Sequence, residues 1–452
     1  MAFNSTVDGP TAAKLLANYG QVFEWVMQNT AHASARVQCA TSCLLAQLAK
    51  HCPELFQNEA NLGSFYEWFT RAAQSAQHPK LTTFAIQAMQ NLFVSFDSRN
   101  CSAILNNQFT DIIRLSVEKV LDRAFIAGGF IVGLADSVND ICQHCDASNL
   151  QQELAALCTS VVGTINEIIG AGTAYSEQEI ELLVNHFGGL LQVTVVQLGT
   201  AGLTKELAAG VLATLEAIVK SNPCRQGSLL ILNGMLHALD SAAVAEVAAA
   251  TLTIITSTVE DAASEFDTSC KRLAVGLLQD LATSMGAGFS GVLDHVTAML
   301  FKVLGDGALP TDVKTTAIMA IGDICLMTEK AFQPYFERTM EVLIQAGVAS
   351  CASIDPSLPP EDIAHIHELR HALIDAFMSI VNGIKSPDDQ SDLAGSGDPS
   401  GAADDRLVGS IRNMFFYIER LVTLPDLRVD PELAKQILEL YCDIVVLWTQ
   451  GQ

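Results

Sequence analysis

Between residues 271 and 384 the apolar positions recur with helical spacing in five consecutive stretches, 271–285, 289–304, 311–329, 332–349 and 361–384, each closed by a short polar or Gly/Pro break. In 311–329 the set Val313, Ala317, Ala320, Ile321 and Ile324 falls on one helix face, and Pro310 and Thr311 supply a start signal. Phe336, Met340 and Leu343 repeat that spacing in the next stretch. A helix that is apolar along one broad face needs a neighbour to cover it, and the pair needs another pair. The pattern therefore predicts a stack of antiparallel helix pairs, with 311–329 and 332–349 paired across the break at Glu329 and Lys330.

The same reading extends upstream over 34–51, 64–77, 80–96, 103–121, 123–144, 148–171, 178–198, 203–220, 226–239 and 241–259. No segment alternates with the two-residue period of a half-buried strand, so the expected class is all-α. A period of roughly 40 to 47 residues per pair is that of HEAT and armadillo repeats, about ten units here. The expectation is a HEAT-repeat alpha-solenoid, a superhelix of antiparallel pairs over 1–385. Two stretches break the rhythm: the Pro-rich 351–360, and 386–405 (SPDDQSDLAGSGDPSGAADD), an acidic run with little to bury that is expected to be a disordered linker. Periodicity returns in 406–424 and 430–449, so 406–452 is expected to close the stack as a terminal helix pair.

Composition sharpens this picture. Hydrophobic residues make up 50% and mean hydropathy is +0.30, which raises a membrane reading. The longest uninterrupted apolar run, 124–135, is shorter than the roughly 18 to 20 residues a span requires, and the Ala-rich 241–257 is interrupted by Glu246 and hydroxyl residues, so no membrane insertion is expected. The N-terminus carries no basic segment followed by an apolar core, which points to the cytosol or nucleus and leaves Asn4 unglycosylated. In that setting the 12 cysteines read as small buried residues. With 25 Lys and Arg against 50 Asp and Glu, the net charge of −25 repels nucleic acid and suits a basic protein segment.

The segments LAVGLLQDL (273–281), LDHVTAMLFKVLGD (293–306), VKTTAIMAIGDI (313–324), FQPYFERTMEVL (332–343) and HELRHALIDAFMSIVNGIK (367–385) resemble, in order and spacing, the C-terminal HEAT repeats of the importin-beta (karyopherin-beta) family. Weaker similarity runs upstream through 203–220, 148–171, 79–97 and 34–51, so the whole chain resembles the C-terminal half of such a receptor. The resemblance implies a non-enzymatic nuclear transport receptor of cytoplasm, nucleus and nuclear pore. It would bind the basic helix of the importin alpha adaptor, or a basic cargo segment, and offer a second site for FG nucleoporins. The family's main Ran-GTP surface lies in N-terminal repeats with no counterpart here, so Ran is not expected to bind through this half alone. In the family the second helix of each pair lines the concave surface. Taking 289–304, 332–349 and 406–424 as those helices, Asp294, Glu337, Glu341 and Glu419 become the candidate partner-binding carboxylates, against the plainer reading of solvated helix faces. Trp448 reads as a terminal core residue rather than an aromatic anchor.

Three motifs could carry chemistry. His367-Glu368-Leu369-Arg370-His371 is an HExxH, which on a helix sets two imidazoles on one face beside a carboxylate, the arrangement of a zinc hydrolase. No third ligand or metzincin extension follows, and the segment matches an ordinary repeat helix, so neither a metal nor another cofactor is expected. Gly286, Gly288 and Gly291 spell GxGxxG, but a helix and not a strand precedes them, which makes them a helix-to-helix turn. Cys142 and Cys145 form a lone CxxC, expected to be buried. The alternative to transport is a HEAT scaffold with unrelated cytosolic partners; the zinc hydrolase is the remote one.

Overall fold

The computed structural model describes residues 19–75, 79–96, 103–170, 175–220, 225–260, 268–351, 359–384, 405–424 and 430–450, without the side chains of 446–450 and of a few others beside the gaps. Residues 386–404 of the expected linker 386–405 and the Trp448 side chain lie outside that description, while Asp405 already belongs to the following helix.

The described residues form two compact units, Met1–Ala238 and Leu239–Gln452, each built from α-helices joined by turns and short 3-10 segments. The first contains α1 (Tyr19–Asn29), α2 (Ala35–His51), α3 (Glu59–Gln74), α4 (Pro79–Ser95), α5 (Ala103–Val120), α6 (Arg123–Ala127), α7 (Ile131–Gln143), α8 (Gln151–Gly170), α9 (Glu177–Gly202), α10 (Lys205–Lys220) and α11 (Arg225–Ala238). The second contains α12 (Ser241–Glu260), α13 (Thr268–Met285), α14 (Leu293–Gly305), α15 (Thr311–Thr328), α16 (Phe336–Ser350), α17 (Pro360–Ile384), α18 (Asp405–Val422) and α19 (Pro431–Gln450). The fold is an all-α HEAT-repeat solenoid, as the periodicity predicts.

Local chemistry sets the helix ends. Ser176 and Glu179 form a reciprocal capping box at the start of α9, and the Asn58 side chain accepts from the Ala60 and Asn61 N–H groups at the start of α3. Gly129, at φ +70°, splits the expected helix 123–144 into α6 and α7. The GxGxxG glycines form a 3-10 turn, Gly286–Gly291, that leads out of α13, with Gly286 at φ +52°. Cys142 and Cys145 are buried, and burial pushes the Cys142 thiol well up.

Each unit has two helix layers. In the first, α2, α4, α7, α9 and α11 pack closely side by side, while α1, α3, α5, α8 and α10 form a more open layer. In the second, α13, α15, α17 and α19 make the close layer and α12, α14, α16 and α18 the open one. Small residues permit the close approach: a Cβ on Gly322 of α15 would stand 2.8 Å from the Ala376 Cα of α17, and one on Gly188 of α9 would stand 2.8 Å from the Gly227 Cα of α11.

The phase of the pairing differs from the sequence expectation. The hairpins are α12 with α13, α14 with α15, α16 with α17 and α18 with α19, so 311–328 pairs with the helix before it and not with 336–350. A 3-10 segment, Glu329–Tyr335, carries the chain between those two across the repeat boundary. The second helix of every pair consequently lies in the close layer.

Three helices, Gln151–Gly170, Glu177–Gly202 and Ser241–Glu260, are long and apolar enough to cross a membrane by length and composition alone. In the solenoid each packs against its hairpin partner, α8 on α9 and α12 on α13.

Candidate functional site

In the second unit the close layer carries acidic side chains on three successive helices: Asp323 on α15, Asp375 on α17 and Glu439 on α19. Asp323 and Asp375 are half-buried. Burial pushes the Asp323 carboxyl up, a hydrogen bond with Ser379 works against this, and the charge of Asp375 adds to it. Burial likewise raises Asp375, His371 opposes, and Glu439 adds to the rise. Among the described residues neither aspartate is in an ion pair with a lysine or arginine. Beside them a shallow groove of about 520 Å³ opens between α17 and α19, lined by Met378, Asn382, Leu438, Glu439, Cys442 and Asp443 together with one cation, Lys435. Leu438 is 66% exposed there, and Asn382 Nδ2 donates to Asp443 Oδ2 at 3.1 Å. The strip thus offers negative charge with apolar footholds between them.

The open layer of the first unit holds a second feature, a groove of about 390 Å³ between α5 and α8. Phe109, Ile113 and Val117 line one wall, and Leu157 and Val161 the other. At its rim Arg114 bridges Asp111 at 3.2 Å and Glu118 at 2.8 Å, one turn away on either side. The groove is apolar and of a size that takes small-molecule or side-chain ligands.

The carboxylates singled out by sequence lie elsewhere. Asp294 sits in the first turn of α14, Glu337 and Glu341 on α16, and Glu419 on α18, all exposed and all in the open layer of the second unit. Glu341 accepts a hydrogen bond from Gln345 Nε2 at 3.4 Å. Asp323 and Asp375 escaped the sequence reading because they fall on helices assigned as first in their pairs; their signal is a carboxylate amid a buried stripe.

HExxH is absorbed by packing. His371 Nε2 lies 2.9 Å from Asp430 Oδ2 and its Nδ1 lies 2.6 Å from Gln436 Oε1. His367 Nδ1 is 3.9 Å from the same Asp430 oxygen, while Glu368 is exposed. Arg370, 1% exposed, donates through Nε and Nη2 to the Ser350 carbonyl at the end of α16, at 3.0 and 2.9 Å. Among the described residues no group of three or more His, Cys, Asp or Glu is placed to hold a metal ion.

The family model for importin subunit beta-1-like TPR repeats matches residues 211–396, across the segments that suggested the resemblance. Over these residues the chain is similar to the importin-beta family. Importin subunit beta-1 of Schizosaccharomyces pombe is 21% identical over 414 residues, covering 87% of this chain and 45% of that protein. The crystal structure of importin beta in an ammonium sulfate condition superposes with a TM-score of 0.78 at 16% identity, over 94% of this chain and 47% of that one. The Kap95:Nup1 complex gives the same TM-score at 14% identity, over 98% of this chain and 49% of that one. The chain therefore spans about half the length of the relatives it matches. Against these family members the two-layer solenoid is the shared fold.

Proposed function

We propose that this chain is a non-enzymatic nuclear transport receptor that binds the basic segment of an importin alpha adaptor or of cargo along the acidic close layer of its second unit. It works between cytoplasm and nucleus. The observation that carries the reading is the Asp323, Asp375 and Glu439 strip, in which Asp375 disfavours the charge of Asp323 and Glu439 that of Asp375, and in which, among the described residues, only Glu439 has a lysine paired with it, Lys435 Nζ at 4.0 Å. A row of carboxylates in that state gains from an incoming cation more than an already paired row does. Exposed charge pairs contribute only about 0.2 to 1 kcal/mol each, so affinity has to come from several pairs together with apolar anchors such as Leu438 and Met378. In the family the second helices of the pairs form the cargo-facing wall, and the strip lies on second helices. Asp294, Glu337, Glu341 and Glu419 remain the competing site.

The second arm of the reading is docking of FG nucleoporins, whose phenylalanines suit the apolar groove between α5 and α8. A Kap95 structure with Nup1 shares this fold.

The test is binding of a fluorescent Lys/Arg-rich adaptor peptide and of an FG peptide to the full chain at low salt. Reversing Glu439 and Asp443 to lysine weakens the basic peptide by tenfold or more on this reading, about 1.4 kcal/mol, and leaves the FG peptide alone. Leu157→Asp does the converse. If Glu337→Lys with Glu341→Lys weakens the basic peptide instead, the site belongs to the open layer. If neither peptide binds, the transport reading fails and a scaffold with other partners takes its place.

A further inference from the structure

The start of α19 is fastened to α17 by four side chains whose proton requirements can be counted. Asp430 caps α19: its Oδ1 accepts from the Leu433 N–H at 3.0 Å, and Pro431 follows at the first helical position. Its other oxygen, Oδ2, lies 2.9 Å from His371 Nε2. The opposite ring nitrogen of His371, Nδ1, lies 2.6 Å from Gln436 Oε1, and Gln436 Nε2 donates to Asp375 Oδ1 at 3.0 Å. The last bond fixes the amide, because an ionised carboxylate only accepts and so requires the NH2 end of Gln436. Gln436 then presents its oxygen to the ring. Both nitrogens of His371 face acceptors, and a neutral imidazole can donate from only one of them.

We propose that His371 is a proton-operated clamp: as an imidazolium it ties the start of α19 to α17 through Asp430 and Gln436, and loss of its proton releases one of those bonds and loosens α19. The surroundings agree. On α17 itself stand His367 and Asp375; from α19 and its approach come Asp430 and Glu439, with Lys435 Nζ 4.0 Å from Glu439; from α15 comes Asp323, whose carboxyl is raised by the charge of Asp375. On the α16 side Arg370 is turned to the Ser350 carbonyl. Carboxylates thus predominate around the ring. Burial would raise the Asp430 carboxyl, but the Leu433 N–H and His371 together hold it below its ordinary range, which keeps an anion opposite the imidazolium. Histidine ordinarily changes charge between about pH 5 and 8. The bonds exist while the ring is charged, so the clamp is closed at low pH and opens as pH rises.

Hydrogen exchange of the full chain, read over residues 431–445 and corrected for intrinsic rates, tests this at about pH 6 and pH 8. Protection of α19 in the unaltered chain is expected to fall about five- to tenfold between the two, the loss of one hydrogen bond, and to be independent of pH in His371→Gln. Equal protection of the unaltered chain at both pH values, or an undiminished fall in His371→Gln, overturns the clamp. Should the variant not fold, ¹⁵N imidazole shifts of His371 in the unaltered chain decide: two protonated nitrogens at about pH 6 are expected, and a neutral ring there overturns it.

Discussion

At the scale of single residues, burial decides which side chains of a suggestive motif are free to act. HExxH places Glu368 in solvent and Arg370 in the core, and both histidines turn toward Asp430. No spacing rule on one helix could reveal this, since Asp430 and Gln436 lie far along the chain. The carboxylates obey the same logic with the opposite sign of consequence. Asp323 is raised in the fold by burial and by Asp375, so its contribution to stability is greatest when it is protonated and declines as pH rises through its elevated titration. Asp323→Asn, which keeps an acceptor for Ser379, is therefore expected to raise the midpoint of thermal unfolding at pH 7 to 8, with the gap closing on acidification. The same variant should weaken the basic peptide by about fivefold, the upper end of what a charge pair still in touch with solvent contributes. A substitution that stabilises and impairs binding together is the signature of charge held for a partner. If Asp323→Asn destabilises at pH 8, the carboxylate is structural.

At the scale of elements, the periodic stripe located nearly every helix of the second unit to within a few residues, because one wide apolar face is what a two-layer stack demands. It could not say which neighbour a stripe meets. A helix such as α15 is buried against α13, α14 and α17 alike, so its apolar positions look the same whichever helix precedes or follows it in the pair. The difference lies in the breaks: Asp306–Pro310 is a tight hairpin turn, whereas Glu329–Tyr335 is a 3-10 bridge between repeats. That ambiguity moved the expected second helices by one and with them the candidate carboxylates. The segment 123–144 was misread for a different reason: its apolar spacing continues through Gly128 and Gly129, where the backbone turns. The glycines of the close layer were legible only as helix positions, yet they set interhelical distance. Gly322→Leu would drive a side chain into the Ala376 backbone, so α15 and α17 must separate. Denaturant unfolding should show a loss of about 1 to 3 kcal/mol or more, and basic-peptide binding should fall with it because Asp323 and Asp375 are carried by those two helices. A neutral Gly322→Leu would mean that the layer is not close-packed at that crossing.

At the scale of the whole molecule, two binding modes with different physics are proposed, and ionic strength separates them without any substitution. The chain carries a net charge of −25, so a cationic peptide is attracted by the summed field as well as by the carboxylates it touches. Raising salt from about 0.01 M to about 0.1 M shortens the screening length from about 30 Å to about 10 Å and removes the long-range part while leaving close, half-buried pairs. The groove between α5 and α8 proposed for the FG peptide is largely apolar, with Arg114 at its rim already paired to Asp111 and Glu118, so its affinity should scarcely respond. Titrations of the two peptides at both salt concentrations are expected to diverge: the basic peptide weakens by tenfold or more, about 1.4 kcal/mol, whereas the FG peptide changes by less than about twofold. Equal salt dependence of both peptides would show one undifferentiated acidic surface, and the division of labour between the strip at Asp323, Asp375 and Glu439 and the groove at Ile113 and Leu157 would fall.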